Sequence, residues 1–204
     1  RKPWPRPWPC GIVWIHWDPR VLRLTRQVLD PANGLLTIDL GKARLLCFVN
    51  QSAGHVSVSS EAPAPILSVA YYPNIDREAS LPPPETGVRA EPGFAEFSCY
   101  QHFPAVAEAR SEKDRNFALC GRLSGDWSVE GASLRGTRTQ PLRLDLTLFT
   151  PRDHQDNVAH ARSEAVRLSR IPVPQLQKQS EQHWRQFWSR SAVEFEDKEL
   201  ERIW

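Results

Sequence analysis

Between Val21 and Phe149 the apolar residues fall in short runs that alternate with polar ones and end at turn-forming residues. Successive side chains on a strand point to opposite faces, so this is the pattern of an antiparallel, mainly β domain. It predicts strands over Val21–Leu29, Leu35–Leu40, Ala43–Asn50, His55–Glu61, Ile66–Tyr72, Phe94–Phe103, Asn116–Leu123, Trp127–Leu134 and Leu142–Phe149. The last of these, LRLDLTLF, alternates most cleanly. In the fourth, His55, Ser57 and Ser59 alternate with Val56, Val58 and Ser60, which predicts one face in and one face out. Pro31-Ala32-Asn33-Gly34 is a turn whose Asn-Gly pair supplies the positive φ angles of a tight reversal. Residues 73–92 carry five prolines and are expected to form a long surface loop. Two packed sheets bury the apolar faces most economically, so the expected architecture is a sandwich.

After Thr150-Pro151 the period lengthens to that of a helix. Val158, Ala161, Ala165 and Leu168 stand at helical spacing within Asn157–Arg170, and Pro172 and Pro174 end the run. A second helix is predicted over Gln175–Arg190, where Trp184 and Trp188, and likewise His183 and Phe187, sit four residues apart and form an aromatic stripe that needs burial. A short extended step over Ala192–Glu196 and a third helix from Lys198, N-capped by Asp197, are expected to follow.

Composition narrows the class without naming a function. With 40% apolar residues, 25% charged residues and a net charge of +2, the chain belongs with ordinary globular proteins and away from disordered ones. It has no run of about 18 apolar residues for a membrane span and no signal-type stretch of basic then apolar residues. The absence of Met and the stop at Trp204 within a helical pattern suggest excision from a longer protein. Alternating prolines in RKPWPRPWP forbid helix and central strand, and residues 1–19 are expected to form an extended tail. Six basic against two acidic residues up to Asp30, with four Trp, raise nucleic-acid or lipid contact as a minor hypothesis, which salt-insensitive binding would remove.

Signatures of chemistry are sparse. Cys10, Cys47, Cys99 and Cys120 lack the paired spacing of a zinc site and are expected to be core thiols, with one disulfide left open. Nucleotide-binding glycine loops and the common hydrolase motifs are absent. Asp153, His154, Asp156 and His160 stand at a strand-to-helix junction, where capping is preferred to metal binding. Cys99 and His102 lie three apart on a strand and point to opposite faces, which argues against a nucleophile and base. Glu85, Glu91, Asp126 and Glu130 carry no pairing signal of the kind glycoside hydrolysis requires. No catalytic, cofactor or metal residue is assigned.

Three stretches together carry a family likeness: LTRQVLDPANGLLTIDLGKARLLCFVN (24–50), DRNFALCGRLSGDW (114–127) and HWRQFWSRSAVEFEDKELERIW (183–204). The chain resembles the N-terminal super-β-sandwich of bacterial glycoside hydrolases related to families 65 and 95, the alpha-L-fucosidase-like group. That resemblance implies an antiparallel super-β-sandwich followed by two to three linker helices that lead to an (α/α)6 barrel. His183, Trp184, Phe187, Trp188, Arg190 and Ser191 match its linker packing motif. The family's catalytic carboxylates lie in the barrel, which this sequence lacks, and the Trp/Pro-rich opening stands where the first strands are expected.

The resulting expectation divides the chain into a tail (1–19), a β-sandwich (20–151) and a helical linker (152–204). Its function would be that of a non-catalytic domain that supports and shapes the active site of a glycoside hydrolase. The implied partners are the C-terminal helical barrel and, through it, an oligo- or polysaccharide, with no nucleic acid, and the parent would be secreted or periplasmic. Two alternatives stay open. One is a stand-alone carbohydrate-binding module, for which Trp127, beside Gly125 and Asp126 in a turn, is the candidate sugar contact. The other is an interaction domain that offers RKPWPRPWP to a proline-binding groove.

Overall fold

The computed structural model describes residues 10–50, 54–73, 82–102, 116–137 and 139–191. They form twelve strands and two helices: β1 (Gly11–Trp17), β2 (Arg26–Asp30), β3 (Leu35–Asp39), β4 (Arg44–Asn50), β5 (His55–Ala64), β6 (Ile66–Pro73), β7 (Glu85–Glu91), β8 (Phe94–Gln101), β9 (Phe117–Ser124), β10 (Trp127–Glu130), β11 (Ser133–Gly136), β12 (Gln140–Phe149), α1 (Asn157–Ser169) and α2 (Val173–Ser191). The strands make two antiparallel sheets, one of four in the order β1-β6-β11-β10 and one of eight in the order β2-β3-β4-β5-β12-β9-β8-β7.

One apolar core takes Val69, Tyr71 and Leu134 from the smaller sheet and Leu45, Phe97, Leu123 and Leu144 from the larger, and each of these is buried. Tyr71 stacks on Phe97 with ring centroids 5.5 Å apart, so an aromatic contact joins the two sheets. Beneath Phe97 lies Gly121, where even a single Cβ would collide with the ring. Each fully buried Leu in this core contributes about 1.5–3 kcal/mol relative to exposure.

The helices pack on the opposite face of the eight-stranded sheet, over β4, β9 and β12. Small residues set the approach: Ala118 and Cys120 on β9 meet Ala161 and Ala165 on α1, and α1 rests on β9 and β12. Phe48, Leu168 and Leu176 form a second helix contact further along. Asp156 caps α1 through a hydrogen bond from the Ala159 N–H (3.0 Å), and Asp153 accepts from the Thr150 N–H (2.8 Å). Asp156 is therefore the helix cap and Asp153 closes the turn before it; no group of three His, Cys, Asp or Glu suited to a metal occurs among the described residues.

Three departures from the predicted elements have identifiable causes. Gly11–Trp17, assigned to an extended tail, is β1 and pairs with β6 from Gly11↔Pro73 onward; the prolines that forbid a strand end at Pro9, and IVWIHW after them alternates. Glu85–Glu91, expected within the long loop, is β7 at the edge of the larger sheet, since the prolines of 82–84 and Pro92 only flank it. Trp127–Leu134 divides at Gly131, whose φ of +61° turns the chain between β10 and β11. In addition, Val21–Thr25 forms no ladder of its own, although the Arg23 and Thr25 N–H groups bond the Leu40 and Asp39 carbonyls. The predicted extended step and third helix, with Asp197, lie outside the described residues.

Candidate functional site

The helices do not cover the whole sheet face. Because α1 sits close on β9 and β12, the outer side of β7 and β8 is left open, and a cleft of about 370 Å³ runs between these strands and α1. Register builds its floor from Arg89↔Glu96, Gly87↔Ser98↔Cys120 and Glu85↔Tyr100↔Ala118, and pairs Glu96 with Arg122 beyond the cleft lining. Val158 and Arg162, one helical turn apart on α1, form its wall. At Gly87 a Cβ would come within 3.0 Å of the Ser98 Oγ, so the glycine keeps the middle of the floor low.

Charge is concentrated at one end. Glu96 is almost fully buried, yet three guanidinium groups converge on it: Arg89 (2.6 Å), Arg122 and, from α1, Arg162 (3.3 Å). Arg89 also donates to Glu91 (2.9 Å), and the Arg122 guanidinium lies 3.7 Å from the centre of the Phe94 ring. Cys120 lies in the floor. Burial, reinforced by the Glu96 charge and only partly opposed by the arginines, pushes its thiol up to about 12. Cys99 is also raised, chiefly by burial, and all four cysteines are free thiols.

A second polar group lies deeper under the helices. His55 Nε2 is 3.0 Å from Asp145 Oδ1, Ser57 donates to the same oxygen (3.2 Å), and Arg143 Nε donates to Asp145 Oδ2 (2.8 Å). Arg143 also donates to the Leu168 and Ile171 carbonyls at the C-terminal end of α1, both at 2.7 Å. Burial alone would raise the Asp145 carboxyl, but hydrogen bonds from His55 and Arg143 together with the Arg143 charge outweigh it and hold the group below the ordinary carboxylate value. With Nε2 donating, the buried Nδ1 of His55 has no partner. The Ser57 hydroxyl faces the aspartate and not the imidazole, and His55, Ser57 and Asp145 are buried while Arg143 keeps a partly exposed side chain, so the group ties the sheet to the helix layer.

The aromatic stripe of α2 divides into two strips, because a helix turns about 100° per residue. Trp184 and Trp188 face the sheet: their indole N–H groups donate to the Val49 carbonyl (3.2 Å) and the Pro31 carbonyl (2.7 Å). Arg185 between them donates to Asn33 Oδ1 (2.9 Å). Gly34, with φ +62°, passes so close beneath Trp184 that any Cβ would overlap the indole. His183, Phe187 and Arg190 occupy the neighbouring strip and line a shallow depression of about 210 Å³, and Phe187 stays 42% exposed. Ser191 ends the helix.

Trp127 is buried. Its ring belongs to the core and its Nε1–H donates to the Ser124 carbonyl (3.0 Å), so no ring face is available to stack on a sugar. The four carboxylates considered from sequence do not converge either. Glu130 pairs with Arg135 (3.1 Å), Asp126 accepts from the Gly93 N–H (3.3 Å), and Glu85 and Glu91 end opposite rows of β7. The residues that sequence reasoning passed over are Arg89, Glu96, Arg122 and Arg162. A signal for two of them was present: Glu96 and Arg122 each fall within a predicted strand, where an unpaired charge is costly if buried. No family model matches the chain, and no curated protein matches it.

Proposed function

We propose that this chain is a non-catalytic β-sandwich domain of a carbohydrate-active enzyme, with its two sheets forming the sandwich and α1 and α2 leading towards a helical catalytic barrel. One observation carries the reading. The stretches in which the family likeness resides, 24–50 and the helical part of 183–204, meet in space: Trp184, Arg185 and Trp188 clasp the β2–β3 turn and the end of β4. A linker fixed in this way transmits the orientation of the sandwich to whatever follows it. Sequencing the natural transcript beyond Trp204 tests the proposal. An open frame of several hundred helix-rich residues is expected, and a stop codon soon after Trp204 would overturn it, as would hydrolysis of aryl glycosides by residues 1–204 alone.

A second reading, a carbohydrate-binding module, is favoured by the cleft beside α1. It combines paired charges, the Ser98 hydroxyl and the Tyr100 ring in a volume suited to a small ligand. Calorimetric titration with short glycans is expected to give saturable heats under this reading, and flat titrations would dispose of it.

A further inference from the structure

We infer that the cleft between α1 and the β7–β8 edge binds a short saccharide bearing a carboxylate, and that Arg162 reads its charge. The inference rests on the carbohydrate reading above and adds the ligand class. Its first support is the charge arrangement. Arg89 and Arg122 already satisfy the buried Glu96, with Arg89 also engaged to Glu91 and Arg122 held against the Phe94 ring. Arg162 is a third cation on one carboxylate. It makes a single long contact of 3.3 Å, leaves its side chain 53% exposed, and lines the cleft. Its remaining planar N–H donors suit a carboxylate, which a guanidinium binds in a bidentate manner.

The second support is the surface beyond that charge. From the Arg89–Glu96 row to the Glu85–Tyr100 row is four residues along β8, about 13 Å at strand spacing. Over this length the Ser98 hydroxyl and the Glu85 carboxylate are placed for sugar hydroxyls, while Tyr100, Ala118 and Val158 supply apolar surface for the C–H faces of a ring. A simple anion would occupy only the arginine end. A neutral sugar would offer no charge to the Arg162 donors that Glu96 does not engage.

The test is calorimetry on the full chain with di- and trigalacturonate, the matching neutral galactosides, and glutarate as a plain carboxylate. Galacturonates are expected to bind at least about tenfold more tightly than either comparison, the scale of one charge-assisted hydrogen bond. Arg162→Gln is expected to remove that preference, Tyr100→Leu to weaken both saccharides, and Arg135→Gln, an exposed ion-pair residue of the other sheet, to change nothing. Unchanged melting curves keep these variants interpretable. Equal affinity for acidic and neutral saccharides would overturn the inference while leaving carbohydrate binding in place. Glutarate binding as tightly as galacturonate, or no saccharide binding at all, would overturn it as well. The accessory-domain reading is judged separately, by the reading frame beyond Trp204.

Discussion

The two faces of the eight-stranded sheet are both buried near its centre, yet they are built from different materials. Towards the smaller sheet, β12 presents Leu142 and Leu144 to a core of Leu, Val and Phe. Towards the helices the same strand presents Arg143, Asp145 and Thr147, of which Asp145 and Thr147 are fully buried. An apolar face holds its partner by area, which is strong but undirected. The polar face holds its partner at points: Thr147 donates to the Ala161 carbonyl (2.7 Å), Arg143 to the Leu168 carbonyl in α1 and the Ile171 carbonyl just after it, and Ser180 of α2 to the Val49 carbonyl (3.0 Å). Such bonds fix where a helix sits and in what rotation, which is what the cleft beside α1 depends on.

The comparison is broken most directly by Asp145→Ala. Removing the carboxylate leaves Arg143 and His55 without their buried partner, and about 3–5 kcal/mol is expected to be lost. Leu144→Ala, one residue away on the apolar face, is expected to cost a similar 2–5 kcal/mol or so through cavity formation. The two should differ in how they fail. The Asp145 variant should detach the helices first, giving non-coincident urea transitions for Trp184 and Trp188 fluorescence and for β-sheet circular dichroism. The Leu144 variant should keep the two transitions together. Coincident transitions in both would mean that the polar face has no special hold on the helices.

Next in size is the clasp at the β2–β3 turn. Gly34→Ala meets both the unfavourable positive φ, about 1–2 kcal/mol for a residue with a Cβ, and the overlap with Trp184. Hydrogen exchange is expected to accelerate in α2 and in the turn together, with β8 and β9 unaffected. Acceleration spread evenly over the chain would contradict a local clasp.

This clasp also shows how far the sequence is legible. Asn33-Gly34 announces the turn and the Trp spacing announces a buried stripe, but nothing in either says that they meet, because their contact spans about 150 residues of chain. The alternation in LRLDLTLF and in His55–Ser59 locates two faces correctly, but period two does not say which face is wet. Here the polar set His55, Ser57 and Ser59 is buried, while Val56 and Val58 are only partly so, because the helices that follow fold back over it. β7 was hidden by flanking prolines, and the Arg89–Glu96–Arg122 row depends on strand pairings that only the fold supplies.

A smaller effect follows from acidity. The folded carboxyl of Asp145 titrates below its unfolded value of about 3.9. Its contribution is therefore complete above that value and is lost as pH falls through it towards the folded one. Below about pH 4 the wild-type melting temperature should fall more steeply than that of Asp145→Asn, which has no such proton to take up. Parallel slopes would show that other carboxylates dominate acid unfolding.

A last pair of substitutions, one of them with almost no expected effect, separates the open part of the polar face from its closed part. Arg122, whose side chain is only 14% exposed, both pairs with Glu96 and lies on Phe94. Arg122→Gln should cost about 2 kcal/mol, since it unmakes a charge-assisted bond to a buried carboxylate. Arg162 reaches the same carboxylate from the rim with its side chain half exposed, and solvent screens such pairs to about 0–1 kcal/mol. Arg162→Gln is therefore expected to leave the denaturation midpoint nearly unchanged. If both substitutions destabilised equally, Arg162 would be a third structural cation of Glu96, and the cleft would have no charge to spare for a ligand.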